Sequence, residues 1–157
     1  MGRYNSDGYY NTGNLLGGSI TMDIRLDAML CGCNAGISMV SAPNYNTDGI
    51  VVTNDLGTYY CDANAIGGLF CPEIDLMEAN KYAFKLTAHK CDEPKNKWYD
   101  SCDKTGCGTT VWESDPKVYG PGKDIINTDY PFTITISFDT DDNGEDLSSI
   151  KVVFRQQ

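Results

Sequence analysis

Basic charge is scarce in this 157-residue sequence: 12 Lys and Arg stand against 22 Asp and Glu, a formal net charge of −10. A protein that displaces counterions from a nucleic-acid backbone needs a basic face, so no nucleic-acid partner is expected. An anionic membrane surface is disfavoured for the same reason. Long apolar runs are missing too, and nothing approaches the ~20 apolar residues of a membrane-spanning helix. The first residues, Met1 to Asn5, hold no apolar signal core, so any secretion signal is expected to have been removed or never to have been part of this sequence. There is no Asn-x-Ser/Thr sequon, and N-glycosylation is not expected. Histidine occurs once, at His89, and tryptophan twice, at Trp98 and Trp112. No segment keeps a helical period over several turns, and no internal repeat is visible.

What is present fits one β-rich domain. Hydrophobic residues make up 41% of the chain, enough for a real core at this length. The ten tyrosines and abundant Gly and Asn favour short strands joined by many loops. Seven cysteines point to an oxidising, extracytoplasmic setting, and an odd number leaves at least one without an intrachain partner. The acidic balance is compatible with a neutral polymer such as a polysaccharide.

Residues 1 to 18 read as a loop-rich lead-in, and residues 19 to 157 as a single domain. From Ser19 to Leu26 the apolar residues alternate (Ile20, Met22, Ile24, Leu26), the period of a half-buried strand. Short strands are expected at 37–40 and 50–53. A longer one is expected at 70–80, with 82–87 continuing it. Residues 91 to 124 read as cysteine-punctuated loop. The run 131–138 alternates cleanly, and 150–154 answers it across the acidic turn Asp139 to Asp146. Such a series argues for an all-β sandwich or barrel. The turn Asp139-Thr140-Asp141-Asp142-Asn143-Gly144 matches the first half of a calcium loop, but Ile150 stands where a bidentate Glu is needed. It reads as an Asn-Gly hairpin turn, and no metal site is expected.

The chemistry concentrates in Glu73-Ile74-Asp75-Leu76-Met77-Glu78-Ala79-Asn80. On a strand, Glu73 and Asp75 project from one face because the side-chain period is two. Glu78 falls on the opposite face unless a bulge or kink at Leu76-Met77 returns it. Acids gathered on one face repel one another and raise one pKa, as glycoside hydrolysis requires of its proton donor. Taken bare, a Glu-x-Asp-x-x-Glu pattern is more often a solvated acidic face.

The neighbouring residues change that balance. Glu-Ile-Asp-Leu-Met-Glu-Ala-Asn, followed by Thr87-Ala88-His89-Lys90-Cys91, closely resembles the catalytic strand of glycoside hydrolase family seven, the family of certain cellobiohydrolases and endoglucanases. There the strand reads Glu-Met-Asp-Ile-Trp-Glu-Ala-Asn, followed by Thr-Pro-His-Pro-Cys. Leu26-Asp27-Ala28-Met29-Leu30-Cys31-Gly32-Cys33-Asn34-Ala35-Gly36 is similar to the family's Leu-Pro-Cys-Gly-Leu-Asn-Gly segment. Tyr60-Cys61-Asp62, Ser101-Cys102-Asp103-Lys104-Thr105-Gly106-Cys107 and Tyr119-Gly120-Pro121-Gly122 resemble further family segments in the same order. The resemblance implies a jelly-roll, concanavalin A-like antiparallel β-sandwich, incomplete beside the full family domain. It also implies Glu73 as nucleophile, Glu78 as general acid/base, Asp75 between them tuning the nucleophile, and His89 as an active-site histidine. The implied reaction is retaining hydrolysis of β-1,4-glucosidic bonds in cellulose or a related β-glucan, without cofactor, by a secreted protein.

The match departs at several points. Met77 stands where the family has Trp, losing a large flat surface. Trp98 and Trp112 are candidate sugar platforms, although an aromatic in such a loop more often anchors it. The resemblance implies the disulfides Cys91–Cys102 and Cys61–Cys71. It leaves Cys31, Cys33 and Cys107 as orphans, as an alternative pairing of Cys107 with Cys31 or Cys33, or as intermolecular bridges. A second reading is a catalytically weak or inactive relic that binds glycan or self-associates through exposed strand edges.

Overall fold

The computed structural model describes residues 14–111 and 117–157, so Trp112 lies outside the described residues. Among those residues the assigned elements are β1 (Ser19–Ile24), β2 (Ala35–Val40), β3 (Glu73–Ala79), β4 (Phe84–His89), β5 (Cys107–Thr110), β6 (Tyr119–Gly120), β7 (Ile126–Asn127), β8 (Phe132–Thr140) and β9 (Leu147–Arg155). No helix among them is long and apolar enough to cross a membrane. The strands form a three-stranded sheet, β1-β8-β9, a four-stranded sheet, β2-β3-β4-β5, and a short parallel pair, β6-β7.

The sequence alternation builds the three-stranded sheet directly. Phe132, Ile134, Ile136 and Phe138 occupy every second position of β8 and are all buried. Antiparallel pairing sets Ile24, Met22 and Ile20 of β1 opposite Phe132, Ile134 and Ile136, and sets Phe154, Val152 and Ile150 of β9 opposite Ile134, Ile136 and Phe138. One apolar face therefore runs across three strands. The β8–β9 turn is closed by Asp141, whose Oδ1 accepts the amides of Glu145 and Asp146 at 2.9 and 3.2 Å.

Three expected elements differ. The strand at 50–53 reduces to one isolated bridge, Val51 with Tyr45. Asn46 Oδ1 accepts the amides of Asp48 and Ile50 at 3.0 and 2.9 Å, so a side-chain turn takes a donor a ladder would need. The run 70–87 is two strands, because Asn80 Oδ1 accepts the amides of Tyr82 and Ala83 and turns the chain. The segment 91–124, expected as loop, contains β5 and β6.

The described chain divides into two compact units. One gathers Ser38–Asp75 and Thr87–Gly108; the other gathers 14–37, Leu76–Leu86, 109–111 and 117–157. The second unit has an aromatic core: Phe84 is fully buried, edge-on to Tyr119 at 6.3 Å and to Phe154 at 4.8 Å, and Tyr119 also meets Phe132 edge-on at 5.9 Å. Such edge-to-face contacts add to the burial of the rings. The Tyr119 hydroxyl donates to the Asn80 carbonyl at 3.0 Å, tying this cluster to the turn after β3. The first unit is organised differently. Its buried residues include Asn44, Asn54, Asp62, Glu73, Thr87 and His89.

Because Phe84 has no exposed surface and meets two rings, Phe84→Ala should cost about 3–5 kcal/mol. Urea unfolding of wild type and variant measures it; a loss below ~1 kcal/mol would show that the aromatic cluster does not carry this core.

Candidate active site

Glu73 opens β3 and is 7% exposed. The loop before it makes that burial tolerable. The Cys61–Cys71 disulfide closes a ten-residue separation, and the Cys71 amide donates to the Asp62 carbonyl at 3.0 Å. Buried Asp62 accepts the amides of Asn64 and Ile66 on Oδ1, at 2.9 and 3.0 Å, which winds the loop tightly. The wound loop aims the Ala63 amide at Glu73, donating to Oε2 at 3.1 Å. Burial pushes the Glu73 pKa above its usual value; the Ala63 hydrogen bond opposes the shift, and the charges of Asp75 and Asp62 reinforce it.

Two residues on, Asp75 Oδ2 lies 3.0 Å from His89 Nε2. The other ring nitrogen, Nδ1, lies 2.8 Å from the Asp103 carbonyl. A carbonyl oxygen only accepts, so Nδ1 carries a proton. Nε2 faces a carboxylate, so an imidazolium satisfies both contacts by donating twice. Burial alone would depress the His89 pKa. Hydrogen bonds to Asp103 and Asp75, with the charges of Asp75 and Glu73, outweigh it and raise the value.

Gly106 fixes where the ring sits. Its φ is +68°, and an added Cβ would come within 2.8 Å of His89 Cε1 and Nδ1. Only glycine combines that backbone conformation with that closeness. Tyr60 joins the cluster electrostatically: burial, a hydrogen bond to Asp62 and the charges around Glu73 push its phenol well above the usual range.

Glu78 lies further along β3 in the other unit, where Asn34 Nδ2 donates to its Oε1 at 3.3 Å. Burial does not alternate strictly along β3, for Leu76 and Met77 are both buried in succession. Met77, 4% exposed, is a core side chain. Trp98 is half-buried in the turn where its backbone pairs with Lys95. Cys91 is bonded to Cys102, while Cys31, Cys33 and Cys107 are free and exposed. Among the described residues no group of three or more His, Cys, Asp or Glu is placed to hold a metal ion.

Sequence reading selected Glu73, Asp75 and His89, which the structure brings together. It passed over Tyr60, Asp62, Asp103 and Asn34 as site residues. The motif Tyr60-Cys61-Asp62 was visible, but nothing in its spacing says that the Asp62 side chain folds the loop supplying the Ala63 amide.

Comparison with known proteins places the chain in a family. The family profile described as Glycosyl hydrolase family 7 matches residues 64–157. The protein named endoglucanase EG-1 of Trichoderma longibrachiatum is 33% identical over 172 residues, covering 96% of this chain and 35% of the relative. Endo-beta-1,4-glucanase celB of Aspergillus oryzae is 31% identical over 173 residues, covering 94% of this chain and 41% of the relative. A solved structure of endoglucanase I complexed with cellobiose superposes with a TM-score of 0.75 at 25% identity, over 96% of this chain and 44% of that one. The fold is thus an all-β antiparallel sandwich of that type. The chain spans little more than a third of the length of these curated relatives.

The double acceptor environment of His89 has a testable consequence for stability. A folded-state pKa raised above 6.5 contributes stability that is complete below pH 6.5 and is lost as pH rises through the folded value. Glu73 acts with the same sign from above pH 4.5. Unfolding free energy measured between pH 5 and 9 should fall with rising pH, and His89→Gln should flatten the part above pH 6.5. An equal slope in both proteins would reject the doubly bonded imidazolium.

Proposed function

Since the chain belongs to glycosyl hydrolase family 7, we propose that it hydrolyses β-1,4-glucosidic bonds in cellulose or a related β-glucan by a retaining, two-carboxylate mechanism. The observation that carries this reading is the buried Glu73 carboxyl, held by the Ala63 amide beside the Asp75–His89 pair. It begins the strand that also bears Glu78.

In the proposed reaction ionised Glu73 attacks the anomeric carbon. The bond to the leaving oxygen breaks, and Glu78 gives that oxygen a proton. Water then attacks the same carbon, Glu78 takes its proton, and the bond to Glu73 breaks to restore both carboxyls. A nucleophile and acid/base pair working this way is separated by ~5 Å. The scheme requires Glu78 to face the same sugar as Glu73, which on a regular strand calls for a slip in the alternation at Leu76-Met77. Asp75 and His89 are positioning groups: the imidazolium offsets the negative charge next to the nucleophile and favours its ionised form. Asn34, donating to Glu78, orients the acid. No cofactor or metal enters the scheme. Two disulfides support an extracellular setting, where the substrate polymer is found.

Release of a fluorogenic phenol from a β-cellobioside tests the reading. Wild type should turn over, and Glu73→Gln should fall below detection. Glu78→Gln should lose about 10²–10⁴-fold on an unactivated cello-oligosaccharide. It should lose much less on an aryl glycoside whose phenol leaves without a proton. Undiminished turnover in Glu73→Gln, or a folded wild type inert on every β-1,4-glucan, would overturn the assignment.

Because Glu73 must be ionised to attack, its raised pKa places the acid limb of kcat/KM above pH 4.5. Removing the Asp75 charge should shift that limb to lower pH, and a limb that Asp75→Asn leaves in place would deny the coupling.

A further inference from the structure

A second feature of the first unit is unrelated to the carboxylates. Ser41, Ala42, Pro43, Tyr45, Pro94, Lys97 and Tyr99 line a cavity of about 230 Å³. That is below the ~300–1,000 Å³ of a site for a drug-sized ligand, and leaves room for a single small ring.

The wall carrying Lys97 is built at a cost. Lys95 and Trp98 exchange two backbone hydrogen bonds, Lys95 N to Trp98 O at 2.8 Å and Trp98 N to Lys95 O at 3.0 Å. The two residues between them, Asn96 and Lys97, have φ of +53° and +69°. This is the two-residue turn in which both central residues are left-handed, and Asn-Gly is the pair it favours. Asn tolerates the conformation; Lys97 adopts it under strain, which glycine at 97 would relieve. The turn is locked in place: Asn96 Nδ2 donates to the Thr47 carbonyl at 3.3 Å, and Gly49 packs against the Asn96 backbone so closely that a Cβ would lie 3.0 Å from its oxygen. What the lysine adds is its side chain, whose Nζ sits 5.0 Å from the centre of the Tyr45 ring. Backbone strain of this kind, held by well-determined surroundings, is a mark of functional sites.

The chemistry of the lining is mixed. Pro43, Pro94 and the two tyrosine rings are apolar surfaces; the Tyr45 and Tyr99 hydroxyls and the Lys97 ammonium have no hydrogen-bond or ion-pair partner among the described residues. Asn44, between the lining residues Pro43 and Tyr45, is buried with its side-chain oxygen unpartnered. A pyranose has this duality, with C–H faces for rings and prolines and hydroxyls for phenols and an ammonium. Lys97 is the one charged residue of the lining, and the charges of Asp92 and Glu93, which after burial raise the Tyr99 pKa, stand against it, so the site calls for no net charge on its guest.

We propose that this cavity is an accessory carbohydrate site that takes one neutral pyranose ring, with Lys97 and the Tyr45 and Tyr99 hydroxyls binding its hydroxyl groups. The choice of a glucosyl ligand rests on the β-glucan reading above; the cavity and its strained lysine do not. The site holds a ring without reacting with it, since no carboxylate lines it.

The test is an NMR titration of the full chain with methyl β-D-glucopyranoside, with D-glucuronate as the anionic control. Glucoside should shift the resonances of Tyr45, Tyr99 and Lys97, and glucuronate should bind more weakly. Lys97→Gly should raise Tm by about 2–4 °C by relieving the turn, while weakening glucoside binding about tenfold. It should leave cellobioside turnover intact. Lys97→Gly that gains stability without losing affinity would overturn the proposal. So would glucoside shifts confined to Glu73, Asp75 and His89, no shifts at all, or preferential binding of glucuronate. A wild type that binds glucoside at Tyr45 and Tyr99 yet turns over no β-glucan would defeat the catalytic reading and leave this one standing.

Discussion

A carboxyl group placed where its charge is disfavoured is the constraint around which the first unit is organised. Glu73 is buried beside two other carboxyl groups, Asp75 and Asp62, and the Ala63 amide, with the His89 charge behind it, counters them. For that amide to be available, the loop from Asp62 to Cys71 must fold back on the start of β3. A disulfide, an Asp side chain that consumes two loop amides and a backbone hydrogen bond all enforce this fold-back. Removal of any of them would release the amide that stabilises the ionised form.

The same logic extends to the histidine. His89 occupies the end of β4, where it bridges a side-chain carboxylate and a backbone carbonyl, and Gly106 leaves the space for its ring. Both partners accept, so the ring is most stable as a cation, and a cation is what a cluster of carboxylates lacks. Elsewhere in this unit, Asn54 performs a comparable task for the loop around it, accepting from Leu56 and Thr58 and donating to the Tyr60 carbonyl. Buried amides and carboxylates thus do here what the Phe84–Tyr119–Phe154 cluster does in the second unit. Most of these buried polar groups are satisfied by nearby amides and carbonyls, which gives the loops defined conformations despite little apolar surface.

Most of the sheet structure was legible in the sequence. The alternation of Phe132, Ile134, Ile136 and Phe138, and of Ile20, Met22 and Ile24, reports one buried face, and both strands stand where that pattern puts them. Failure came where side chains compete for backbone amides. Asn46 and Asn80 turn the chain locally, so Ile50 to Thr53 never becomes a strand and the run 70–87 becomes two. A hydrophobic pattern records burial, and it does not record which acceptor an amide will choose.

By itself, then, the sequence determined the all-β class, the two-residue period that sets Glu73 and Asp75 on one face, and the membership in a glycosidase family carried by residues 64–157. These follow from local composition and from the order of short motifs. Only the tertiary structure decided that Ala63 is the donor to Glu73, that Asp103 and Asp75 grip opposite sides of one imidazole, and that Lys97 is strained over Tyr45. Those contacts depend on loop closure between residues up to dozens of positions apart. Their energies come from burial and distance, which no linear pattern contains.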